Sequence, residues 1–194
     1  IVPLVSPGNP VRGISPTDLA RVFTGEIRNW KDLGGPDAPI SVHAPLASTG
    51  LGQTIADRIM APAGREMSTG VTRHQKSPDV VAAVLADPFA LGIASLAEAG
   101  TAQVPTLTGS CGRSLDATRR SVKTEDYPFT APMFLYLPAR RQPIVVQEFL
   151  AFARSPAAQI VIRRAGFVDQ APEEIVLDEQ GKAIGSFLVR RSLS

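Results

Sequence analysis

Hydrophobic and polar residues alternate along this chain with a period that changes repeatedly, and each change marks an element. Ile1 to Val5 is an apolar run that leaves through Ser6-Pro7-Gly8-Asn9, the pattern of a strand followed by a turn. Ser15-Pro16-Thr17-Asp18 is a strong helix start: Ser15 can cap, Pro16 suits the first helical position, and Asp18 favours the positive helix end. Leu19, Val22 and Phe23 then form an apolar stripe, and Gly25 ends the helix. Trp30 and Leu33 follow in a short turn, where they are expected to pack under the loop.

Ile40 to His43 predicts a short strand ending at Ala44-Pro45. Ser48-Thr49-Gly50 then opens a helix whose Ile55, Ile59 and Met60 share one face. Val71 to His74 predicts another strand, and Ser77-Pro78-Asp79 repeats the cap-plus-proline start ahead of Val80, Val81, Val84 and Leu85. Phe89 to Ser95 predicts a buried strand with Gly92 inside it, a residue that more often serves close packing than ligand contact. After Val104 to Leu107 comes a polar stretch over 108–126, then Met133 to Leu137, whose unbroken apolar character predicts a buried strand. Helices follow at Val145 to Arg154 and from Ser155-Pro156 to Gly166. From Glu173 the pattern weakens to a linker, a hairpin around Glu179-Gln180-Gly181, or a final helix. Strands alternating with helices predict an α/β fold with a mainly parallel sheet and flanking helices.

Composition narrows the function classes. Hydrophobic residues at 44% and charged residues at 20% are ordinary for a globular protein. No run approaches the roughly 18 apolar residues that span a bilayer, so no membrane span is expected. The net charge is +2, carried largely by scattered arginine pairs such as Arg119-Arg120 and Arg140-Arg141. Nucleic-acid binding needs a clustered basic face, and none is expected here. Cys111 is alone, which excludes an internal disulfide and a cysteine-based metal site. The two histidines lack metal-ligand spacing, so neither metal nor cofactor is implied. Ser48, His74 and Asp79 contain the residue types of a nucleophilic set, but no Gly-x-Ser-x-Gly elbow occurs. A binding protein is expected rather than an enzyme.

Several segments together resemble the phosphate-binding members of the type II periplasmic solute-binding proteins. Asn9-Pro10-Val11, Ile14 to Leu19 and Val22 to Trp30 (VFTGEIRNW) are similar to the chain leading into the family's second lobe. Asp87 to Ile93 (DPFALGI) resembles a later helix-to-strand step. Glu125 to Pro128 with Phe134 to Leu137 resembles the return to the first lobe, and Phe149 to Phe152, Ser155-Pro156 and Ala165 to Val168 resemble the closing helices. The resemblance implies one complete lobe plus part of another: residues 1–126 as the second lobe, with a hinge strand at 1–10; 127–170 as the return segment of the first lobe; and 171–194 as a tail or linker. It also implies that the opening part of the first lobe comes from a missing N-terminal segment or another chain, with an open apolar face near Phe134 and Tyr136. Ser110-Cys111-Gly112 and Val122 to Pro128 look closest to a subgroup found upstream of OmpA-like domains. That likeness implies a periplasmic, cell-envelope protein of a Gram-negative bacterium, and the wider resemblance implies an ABC transporter as the system it serves.

The family holds its anion on a loop of the form Arg-x-Asp-x-Ser-Gly-Thr. Here that loop is Ala44-Pro45-Leu46-Ala47-Ser48-Thr49-Gly50, so the serine is kept while both charged positions are lost. A helix N-terminus still offers free N–H groups and partial positive charge. The implied ligand contacts are therefore Ser48, Thr49 and Gly50, with His74 and Ser77 on the adjoining strand and helix start, and the implied ligand is phosphate or another small anion. The competing readings are that Ser48 or Thr49 caps its own helix, that Ser77 is a cap first, and that His74 is structural. His43 receives no role. Because Ala44 and Leu46 are uncharged, a cell-envelope interaction or sensor domain that keeps the fold without the small ligand is the alternative function.

Overall fold

The computed structural model describes residues 1–109 and 114–172. Helix α1 spans Pro16–Thr24, and Ser15 caps it as the sequence predicts, its Oγ accepting the Asp18 N–H at 2.9 Å. Gly25 closes it in the left-handed region at φ +79, donating its N–H to the Val22 carbonyl. Leu19, Val22 and Phe23 are buried. Trp30 is fully buried as well, and its indole N–H donates to the Phe89 carbonyl at 2.8 Å, so it anchors the turn as expected.

The main sheet comprises β1 (Val2–Val5), β3 (Ser41–Pro45), β4 (Thr72–His74) and β5 (Ala90–Ala94), in the order β1-β5-β3-β4. β3 runs parallel to both β4 and β5, and β1 closes the far edge antiparallel to β5. All of β5 is buried, which explains its uninterrupted apolar sequence. Helix α4 (Ser77–Ala86) lies directly on it: a Cβ at Gly92 would sit 2.7 Å from Val84 and 2.8 Å from Val80. Gly92 is a packing residue.

A small second sheet joins β2 (Gly13–Ile14) in parallel to β6 (Thr106–Thr108), which pairs antiparallel with β7 (Ser114–Leu115). Helix α5 (Arg119–Lys123) follows, opened by a reciprocal cap in which Thr118 and Ser121 each accept the other's backbone N–H. Helix α2 (Gly50–Ile55) runs through a π turn at Ala56–Met60 into α3 (Ala61–Ala63). Pro62 supplies the reason for the wider turn, because it has no N–H to return to the Arg58 carbonyl.

The segment Met133 to Leu137 departs from expectation. It is not a strand, has no ladder partner among the described residues, and is open to solvent, with Phe134 69% and Tyr136 89% exposed. An apolar run is as compatible with an uncovered face as with a buried strand, and periodicity does not separate them. Helices α6 (Ile144–Ala153) and α7 (Pro156–Arg164) pack against each other, yet α6 buries none of its side chains. The apolar face expected near Phe134 and Tyr136 is therefore present, but on irregular chain rather than on a strand edge. The segment just before it is well packed: Tyr127 and Phe129 are buried edge to face, and the Ile1 nitrogen donates to the Phe129 carbonyl at 2.9 Å.

Asp169 fastens α5 and α7 together. Its fully buried carboxylate meets Arg119 Nε at 2.9 Å, Arg163 Nε at 2.9 Å and Lys123 Nζ at 3.2 Å, and accepts the Ala171 N–H at 2.9 Å. Burial alone would raise its pKa. The hydrogen bonds from Arg163, Arg119, Lys123 and the Ala171 backbone outweigh that and hold it well below the usual carboxylate range. Cys111 and the segment Ser110-Cys111-Gly112 lie outside the described residues, as does the tail from Glu173.

Candidate functional site

Because β3, β4 and β5 are parallel, their C-terminal ends meet at one edge of the sheet, where ligands of open α/β sheets commonly sit. The loop after β3 is stapled. Leu46 donates its N–H to the His74 carbonyl at 2.8 Å, and its own carbonyl accepts both the N–H and the hydroxyl of Thr49, at 3.0 and 2.7 Å. Thr49 Oγ1 in turn accepts the Gly52 N–H at 3.1 Å, which makes Thr49 the N-cap of α2.

That arrangement sorts the sequence candidates. The Thr49 hydroxyl is engaged as donor and acceptor, so its role is the cap. Ser48 is exposed, and its hydroxyl has no hydrogen-bond partner among the described residues. Gly50 is also exposed, with nothing within 4 Å of a Cβ built on it, so the space beside the helix start is open. The N–H groups of Gly50 and Leu51 belong to the first helical turn, where no intrahelical acceptor exists.

Ser77 is different from its expected role. It is buried, and its Oγ accepts the Ser95 N–H at 3.2 Å, while Lys76 occupies the N-cap position without a side-chain cap bond. Ser77 therefore ties the start of α4 to the end of β5 and is not its helix's cap. The Ser95 N–H takes the Ser77 hydroxyl, and α4 begins one residue earlier relative to its proline than α1 and α7 do, where Ser15 and Ser155 cap ahead of a proline.

His74 is half-buried, and its Nε2 lies 3.0 Å from His43 Nδ1. Burial first, and the nearby His74 second, hold the His43 pKa below its ordinary value, against an opposing pull from Asp87. Sequence reasoning left His43 without a role because the pairing of β3 with β4 brings together residues 31 positions apart. No hydrogen bond joins Ser48, His74 and Asp79 among the described residues. No group of three metal-ligating side chains converges there either.

Arg73 was also outside the primary candidates. It stands directly across the ladder from Ala44, and its Nη1 donates to the Pro45 carbonyl at 3.3 Å. A guanidinium thus lies beside the loop at whose start the family-like pattern has lost its arginine.

The mainly parallel sheet with flanking helices, and the exposed loop at the C-terminal end of β3, are the features of a solute-binding-protein type of fold. Residues 1–157 match the model of the PBP superfamily domain, and the chain belongs to that family. Among curated relatives it is similar to the phosphate-binding protein PstS of Bacillus subtilis (strain 168), at 28% identity over 183 residues, covering 92% of this chain and 57% of the relative. It is also similar to the phosphate-binding protein PstS of Borreliella burgdorferi, at 22% identity over 170 residues, covering 85% of this chain and 61% of the relative. The chain thus spans less than two thirds of either relative. Among solved structures, a substrate-binding protein of Clostridium perfringens with bound phosphate superposes with a TM-score of 0.76 at 20% identity, covering 88% of this chain and 68% of that one. An ABC-type phosphate transport receptor from Vibrio cholerae gives 0.65 at 19% identity, covering 88% and 68%. Both likenesses establish the fold. No helix among the described residues is long and apolar enough to cross a membrane.

Proposed function

We propose that this chain is a periplasmic solute-binding domain that takes phosphate or another small anion at the loop Ser48 to Gly50, as the binding component of an ABC-type transport system. The observation that carries this reading is the stapled loop. Bonds from Leu46 and Thr49 hold it rigid while the Ser48 hydroxyl and the space beside Gly50 stay open. A preorganised set of donors at a helix start needs little reordering to accept an anion. The names of the curated relatives support phosphate as the first ligand to try. Its role is binding, with no catalytic step.

In this reading, residues 1–126 act as the second lobe and 127–170 belong to the first. The exposed apolar surface of Met133 to Leu137 and α6 is the face on which the remainder of that first lobe, or another chain, packs. A downstream OmpA-like domain is consistent with the same family-level resemblance. The missing charges at Ala44 and Leu46 favour one other reading, a cell-envelope interaction or sensor domain with no small ligand.

Isothermal titration of the full chain with inorganic phosphate, sulfate and acetate separates the two. Binding is expected, with weak discrimination among the anions, and Ser48→Ala should weaken it by about tenfold or more, the equivalent of one charge-assisted hydrogen bond. Equal affinity in wild type and variant removes Ser48 from the site. The absence of binding to all three anions favours the interaction reading.

A further inference from the structure

We propose that His43 and His74 form a proton-sensitive latch that holds the edge strand β4, and through it the loop after β3, in place at neutral pH and releases both in acid. Its consequence for ligand rests on the anion-binding reading above: an anion held at Ser48 to Gly50 leaves as the latch opens. The latch itself stands on geometry. β4 is joined only to β3 in the main sheet. Its last residue, His74, is held twice. The ring Nε2 lies 3.0 Å from His43 Nδ1, and the carbonyl accepts the Leu46 N–H at 2.8 Å, the bond that starts the stapled loop.

The ring-to-ring bond tolerates one added proton and fails at the second. With both rings neutral, one proton lies between the facing nitrogens, and the donor ring's outer nitrogen is bare. The first added proton goes to that outer nitrogen, which keeps the bridge and makes it a charge-assisted bond between imidazolium and imidazole. The second has only the accepting nitrogen of the bridge left to take. Two N–H groups and two positive charges then face each other, and the bond is lost. The pair therefore titrates as a unit. Because the bond excludes the second proton, the latch is closed above the ordinary histidine pKa of about 6.5 and loses its hold as pH falls below it.

The charges around the pair leave that order intact. Gly92 pairs with His43, and a Cβ there would point into Val80 and Val84, so the bonded rings lie on the α4 face of the sheet. That helix and its ends carry Lys76, Asp79 and Asp87. β3 and β5 add no other charged residue, and β4 adds Arg73, which alternation turns to the opposite face. Burial first and His74 second lower the His43 pKa, and the opposing pull of Asp87 is the weakest of the three.

His43 and His74 are the only two histidines in the sequence, so their ring signals are unambiguous. The full chain, labelled with nitrogen-15, purified without a polyhistidine tag and kept free of anionic ligand, is followed by NMR from pH 8 to pH 5. Both rings are expected to report the same two separated steps. The hydrogen-exchange protection of the Leu46 amide should fall about tenfold for each pH unit through the second step. The Val5 and Gln103 amides, which bond each other's carbonyls at 2.9 Å, should keep theirs, which distinguishes latch opening from general acid unfolding. His43→Asn places an amide that does not titrate near the Nδ1 position, and there the Leu46 step should vanish. Rings that titrate independently in one ordinary step each would overturn the proposal. So would Leu46 protection that stays flat while the rings take up the second proton. The wild type decides by itself if the variant folds poorly. Neither readout uses an anion, so failure of the latch and failure of the anion-binding reading are distinguishable.

Discussion

Arg73 faces Ala44 across the β3–β4 ladder, and its guanidinium donates to the Pro45 carbonyl one residue further on. The position that is charged in the family-like loop is here a small buried residue, and the charge stands on the neighbouring strand. If that loop holds an anion, Arg73 is the cation placed to neutralise it. Arg73→Gln should then weaken phosphate binding by about tenfold to a hundredfold, the range of one charge-assisted bond. Arg73→Lys should recover part of the loss, because a point charge replaces the fork. Calorimetry at fixed ionic strength checks this, and an unchanged dissociation constant for Arg73→Gln would exclude the residue.

Gly52 makes the stapled loop possible. A Cβ there would sit 2.0 Å from the Leu46 carbonyl oxygen and 2.7 Å from its carbon, both backbone atoms fixed by Thr49 and His74. Gly52→Ala would gain about 1 kcal/mol of helix propensity. The clash should cost more, on the order of 3 kcal/mol, because overpacking against backbone has no flexible side chain to yield. Denaturant unfolding should therefore show net destabilisation; a variant as stable as wild type would mean that the loop moves freely.

Asp169→Asn should destabilise the chain by about 1–3 kcal/mol, the cost of losing charge-assisted hydrogen bonds to cations that are themselves partly open to solvent. The same residue predicts an acid limit. Its folded pKa lies below its ordinary value, so its stabilisation is complete above that value and is lost as pH falls through the lower folded one. Thermal melts from pH 5 downward should show wild type losing stability more steeply than Asp169→Asn. Parallel curves would contradict the assignment.

Tyr127 carries a buried hydroxyl with no hydrogen-bond partner among the described residues, and burial raises its pKa. An unsatisfied buried polar group is a cost of about 1–3 kcal/mol. Tyr127→Phe should keep the edge-to-face contact with Phe129 and leave stability equal or higher. A clear fall in melting temperature would show that the hydroxyl has a partner in solution.

The local grammar of this chain was legible from its residues. Ser15, Pro16 and Gly25 delimit α1 because capping and left-handed closure depend on a few neighbouring side chains. Ser155 caps α7 for the same reason, and Thr49 with Gly50 opens α2 as expected. The continuous apolar run of β5 likewise reflects burial on both sides. Tertiary structure decided everything that depends on who stands opposite whom. Strand pairing placed His43 against His74 and Arg73 beside Ala44, residues with no periodic relation along the chain. It turned Ser77 from a cap into a link with Ser95, and it left Met133 to Leu137 uncovered although their sequence reads as core. Capping and period are short-range properties carried by the chain itself, whereas burial and cross-strand contact are set by the surfaces that other segments supply.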